Sequence, residues 1–250
     1  METSLSAAQR RLIMYVPVAV AVVVGLLYPL SPDLYFFTVM EYMVIEDLQF
    51  LFYLAASLVA AFVAVRFWRD VGNRILAVLY GAGAAGLFFV AGEGGLLGTG
   101  GVRADLLLGA RQEDIRAVNA QGETTLHNLN GMGHVFTLFL FALAVYGVLS
   151  PLIRMLLERR GTAPAWLGYV TLPWVTVPAF AVASSFFVAL TFLTGSHHDR
   201  TPPVGEHAFL RYQEVPELLI SFSVLVFLVL VLRTIRAGRR RTARTVAGAR

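Results

Sequence analysis

Four residues ahead of one apolar run have the types and spacing that metal or proton chemistry requires. Glu123, His127, Asn130 and His134 stand 4, 3 and 4 positions apart. In a helix, residues three and four apart are surface neighbours, so these four would form one stripe. Glu123 and His127 could share a metal ion or a proton, with His134 as a further ligand. Imidazole and carboxylate together suit zinc, iron or manganese. Gly131 and Gly133 interrupt the stripe, and glycine weakens a helix by about 1 kcal/mol relative to alanine. A structural alternative therefore stands beside the chemical one. In it His127 and Asn130, with Gln121 and Asn128, form a hydrogen-bonded polar cluster that satisfies loop backbone groups.

What must hold these residues is a membrane domain. Of the 250 residues, 57% are apolar and only 14% are charged. A soluble domain has about 25% charged residues. With a mean hydropathy of +0.69, the composition excludes disorder, collagen-like repeats and an ordinary soluble enzyme. Six runs approach the roughly 20 apolar residues that a spanning helix needs: 12–30, 44–65, 75–91, 135–153, 166–193 and 215–232. Lipid offers no partner to backbone groups, so these runs are expected to be helices. The predicted fold is an all-α, polytopic integral membrane protein, a single six-helix bundle over 1–238. A long extracytoplasmic loop, 94–126, carries a segment able to lie as an interfacial helix. Residues 239–250 form a basic tail. The first run is read as a retained helix, because no small-residue cleavage site follows it.

The arginines orient the bundle. All 20 basic residues are Arg, and 15 of them flank the spans on one side. The positive-inside rule places that side in the cytoplasm with both termini, in a bacterial inner membrane. This distribution explains the pI near 9.7 as topology and argues against nucleic acid as a partner. The bilayer is the expected partner, with room for self-association or a second membrane protein. Cysteine is absent, which excludes disulfides and thiolate metal sites. On the opposite side lie 13 of the 16 acidic residues and all five His.

Several of those acidic residues sit at span ends, where ionisable groups usually face a bundle interior or a cavity. Glu46 and Asp47 begin the second span and project about 100° apart; Glu46, with Gln49 one turn on, is expected to face the bundle. Glu93 ends the third span. Glu217 lies inside the apolar run of the sixth, although Glu214, Pro216 and Glu217 also suit a helix N-terminus for purely structural reasons. Glu46, Glu93, Glu123 and Glu217 are thus the candidate catalytic carboxylates. His197, His198 and Asp199 read as a solvated loop. Gly81, Gly83 and Gly86 predict close approach of a neighbouring helix, and Pro173 and Pro178 predict a kink in the fifth span.

The stretch 119–129, Asn-Ala-Gln-Gly-Glu-Thr-Thr-Leu-His-Asn-Leu, resembles a motif of a family of uncharacterised bacterial multi-spanning proteins, Asn-x-Gln-x-Glu-x-x-Leu-His-Asn-Leu. Those proteins tend to carry Gly-Glu-Glu-Ile-Ser-Trp-Gly-Gln upstream at a span end, and an acidic approach to an earlier helix like 41–46 here. The resemblance covers roughly 41–129. Its upstream motif is degraded: Gly92 and Glu93 match, but Gly94, Leu97 and Thr99 replace Glu, Trp and Gln. The resemblance implies an arrangement that includes Glu93, Gln121, Glu123, His127 and Asn128, and no particular reaction.

Three functions fit these residues. One is an enzyme at the outer leaflet, using a divalent metal to activate water against a lipid or lipid-linked substrate. Another is a non-catalytic subunit or binding module of a membrane complex. The third is a proton or cation pathway, which should leave ionisable groups deeper in the spans than any seen here.

Overall fold

The computed structural model describes residues 5–39, 44–92, 132–194 and 214–248. Regular structure among these residues is helical throughout. Six helices are long and apolar enough to cross a bilayer. The chain is an all-α, multi-pass membrane protein. The helices are α1 (Ala7–Leu30), α2 (Pro32–Val39), α3 (Val44–Arg66), α4 (Arg74–Ala91), α5 (Met132–Arg159), α6 (Val177–Thr194) and α7 (Glu214–Gly248). All but α2 belong to spans.

Local signals explain where these helices begin and end. Ser6 opens α1 with a reciprocal capping box: its hydroxyl accepts from Gln9 N at 3.2 Å, and Gln9 Oε1 accepts from Ser6 N at 3.0 Å. Two of the four orphan N–H groups of a helix start are satisfied this way. α3 runs into a π-helical turn, Phe67–Val71, and stops at Gly72, whose φ of 69° suits glycine. Asn73 then caps α4 by accepting from Leu76 N at 3.0 Å. α7 has 35 residues and runs on through the arginines at 239–241, well past the span end at 232 expected from hydropathy.

Packing shows how the spans alternate. Near the start of α1, Leu5, Ile13 and Met14 meet Val226 and Leu230 of α7. Farther along, Ala21 and Val24 share a cluster with Val215 and Leu218. α1 and α7 are therefore antiparallel, as an even number of crossings requires. The arginine-bearing helix ends gather at one end of the bundle, here termed the basic end. Glu46, Glu214 and Glu217 lie at the other, the acidic end.

α3 packs along α4 on one side and α7 on the other; α7 also packs on α6, and α6 on α5 and α1. Among the described residues, α4 has α3 as its extensive helical neighbour, and no substantial contact joins α4 to α5. Among the described residues the glycines of α4 do not mediate close packing, contrary to the sequence expectation: a Cβ at Gly81, Gly83 or Gly86 would meet none of them within 4 Å. The close approach falls at Gly147 of α5, where a Cβ would lie 2.1 Å from Cγ of the buried Phe180 on α6.

The fifth span, where a kink was expected, is broken ahead of α6. One helical turn, Leu167–Val170, is followed by extended Thr171 and Pro173, a 3-10 turn (Trp174–Thr176) and then α6. Pro178 falls in the first turn of α6, where proline is tolerated. Pro173 has no N–H to offer the Tyr169 carbonyl, and such a group cannot be left unpaired in lipid. Tyr80 of α4 donates its hydroxyl to that carbonyl, and Tyr146 of α5 donates to the Val170 carbonyl at 2.6 Å. Leu172 N donates to Ser150 Oγ at 3.2 Å. Side chains of α4 and α5 thus complete the broken backbone.

A buried polar seam at the acidic end

The described part of the site is the seam where the first turns of α3 meet the first turn of α7. Gln49 is only 6% exposed. Its side-chain Nε2 donates to the Glu214 carbonyl at 2.8 Å and to the Glu214 carboxylate Oε2 at 3.1 Å. One amide therefore bonds to the backbone and side chain of a neighbouring helix 165 positions away. Glu217, one turn into α7, is 9% exposed. Tyr53 is buried one turn below Gln49 on α3. Ser57, a further turn down, donates to the Ala84 carbonyl of α4 at 2.8 Å.

Gln49, Tyr53 and Ser57 recur every four residues, so they share one face of α3. Their spacing was visible in the sequence, but it was masked by the aromatic and aliphatic residues between them. Tyr53 and Ser57 are therefore site-lining residues that sequence reasoning missed. The expectation for Glu46 and Asp47 is met: Glu46 is half-buried and Asp47 exposed. Glu46 lies one turn before Gln49, on the same side of α3.

Burying a carboxyl such as Glu217 costs several kcal/mol unless it is paired or protonated, roughly as for any buried ion. An α7 N-terminus offsets part of that, since its dipole favours negative charge by about 0.3–1 kcal/mol. Chemically, the seam offers carboxylates for proton transfer or cation ligation, beside an amide and a phenol able to orient a bound group.

Glu93, Gln121, Glu123, His127, Asn128 and Asn130 fall outside the described residues, as do His197 and His198. The backbone at His134 is in the first turn of α5, and its side chain lies outside the described set. Among the described residues there is no group of three His, Asp or Glu placed to hold a metal. No family model matches the chain, and neither a curated protein nor a solved structure is similar to it.

Proposed function

We propose that the protein is a membrane-embedded enzyme acting at the acidic end of the bundle on a lipid or lipid-linked substrate. The observation that carries this reading is the burial of Glu217 one turn along α7 from the Gln49–Glu214 bond, in a seam where an apolar residue would pack without desolvation cost. In this proposal Glu123, His127 and His134 hold a divalent metal, and Glu217 or Glu46 completes the site. When bound, the metal supplies an activated water at neutral pH. Glu93 is a second-rank candidate, because the motif around it is degraded. On the positive-inside rule, the acidic end faces the exterior or periplasm of a bacterial inner membrane.

Elemental analysis of the detergent-purified protein tests this, beside the double variant Glu123→Ala/His127→Ala. Near-stoichiometric zinc, iron or manganese is expected in the wild type and absent from the folded variant. No metal in the wild type, with an unstable variant, would overturn the proposal and make the polar cluster a structural brace.

One observation favours a second reading, a non-catalytic subunit. Gln49 is spent on Glu214, as a brace between helices would be. The outward face of α4, with Ile75, Val78, Phe88 and Phe89 exposed, then offers a surface for a partner helix. Co-purification of a stoichiometric partner from native membranes, with no bound metal, would select this reading.

A further inference from the structure

A cleft of about 250 Å³ lies between α4 and α5. Leu79, Gly83 and Leu87 wall it on α4 and Leu143 on α5, while Phe227 and Leu228 of α7 form its floor. It exists because α4 and α5 do not pack against each other. Toward the basic end it is closed by Tyr169 and Val170, whose carbonyls take the hydroxyls of Tyr80 and Tyr146. Those phenols are occupied by the broken backbone, so the remaining lining is hydrocarbon. Ligand pockets for drug-sized molecules run to about 300–1,000 Å³; this one is narrower and suits a single chain. An apolar cleft that opens sideways in a bilayer has lipid tails as its natural filling.

Charge and aromatic placement indicate which lipid. The guanidinium of Arg154 reaches the backbone beside the cleft's closed end: its Nη1 would lie 3.4 Å from a Cβ at Gly168, the residue before Tyr169. Arg154 binds Glu158 through Nε at 2.7 Å and keeps 31% of its side chain exposed. Arg74 opens α4 on the other wall. All three tryptophans, Trp68, Trp166 and Trp174, are at this end and exposed, as in the aromatic belts that mark headgroup level.

We infer that the cleft is a binding site for one acyl chain of an anionic phospholipid in the leaflet at the basic end. Arg154 takes the headgroup phosphate, a charge-assisted contact. This site is independent of the acidic-end reading, and its test does not require that reading to hold.

The test is native mass spectrometry of delipidated protein titrated with phosphatidylglycerol or phosphatidylcholine. The wild type is expected to hold one phosphatidylglycerol at least tenfold more tightly than phosphatidylcholine. Gly83→Leu, whose side chain would enter space open beyond 4 Å, should weaken binding of both lipids at least tenfold. Leu143→Phe, which narrows the same cleft from α5, is the second cleft variant should Gly83→Leu lose its fold. Arg154→Gln should abolish the preference while leaving the chain bound. Equal binding of the two lipids by the wild type would overturn the inference. So would unchanged lipid binding by a folded cleft variant, or retention of a neutral molecule such as a prenylated quinone in place of phospholipid.

Discussion

Two helix contacts flank α7 and α6, and they are made from opposite materials. Between α5 and α6, the absent side chain of Gly147 admits the ring of Phe180, which is fully buried. Between α3 and α7, the acidic end joins Gln49 to Glu214, with Tyr53 and Glu217 buried one turn further along their own helices. Small-into-large packing of the first kind is what association in lipid ordinarily uses, because tails are as apolar as leucine and hydrophobic burial drives nothing. The second kind is not needed for packing. Farther down the same two helices, Val63 and Phe67 share an apolar cluster with Leu228, Val231 and Ile235, and Arg236 of α7 stands over the Phe62 ring of α3 at 5.6 Å. A pair of helices that packs largely on hydrocarbon at one end carries carboxyls at the other, and the proposed function rests on that difference.

That contrast can be broken experimentally, and the largest effect is expected on the apolar side. Gly147→Leu would drive atoms into the Phe180 ring and should destabilise the protein by about 3 kcal/mol, at the upper end for overpacking. Thermal unfolding in detergent measures it, and Phe180→Ala in the same chain should restore much of the loss. A Gly147→Leu variant as stable as wild type would mean that α5 and α6 do not meet there.

On the polar side, Gln49→Leu leaves the Glu214 carboxylate without its amide and should cost about 1–2 kcal/mol. Adding Glu214→Leu should return most of that stability, since the pair is replaced by apolar groups together. If the double variant is less stable than the single one, the seam is cohesive in its own right and the contrast with α5–α6 fails.

Glu217→Gln keeps shape and hydrogen-bonding capacity while removing the charge. Its stability should stay within about 1 kcal/mol of wild type, whereas metal content should fall to background under the proposed function. Unchanged metal content would remove Glu217 from the site. The smallest effect is reserved for Ser223, 1% exposed on α7, whose hydroxyl is the buried side-chain polar atom without a hydrogen-bond partner among the described residues. Ser223→Ala should be neutral or stabilise by about 0.5 kcal/mol, showing that polarity on α7 matters at the seam and not everywhere along the helix.

The number of crossing helices, their alternation and the separation of arginines from carboxylates were legible in the sequence. The bilayer imposes a one-dimensional rule: a run of sufficient length and hydropathy spans, whatever its neighbours. The same rule put Glu46 and Gln49 near the acidic end, and the 100° step between Glu46 and Asp47 meant that only one of the two would face inward. Hydropathy says nothing about how each helix is turned about its axis against its neighbours, and that rotation decided the rest. It left Gly83 facing an open cleft and made Gly147 the contact glycine. It brought Gln49 to Glu214, although no local spacing relates them. It also turned Tyr80 and Tyr146, unremarked in the chain, into the donors for a backbone that Pro173 had broken. Spanning is a property each segment has alone. Pairing is a property of two surfaces, and it exists only once all of the helices have packed.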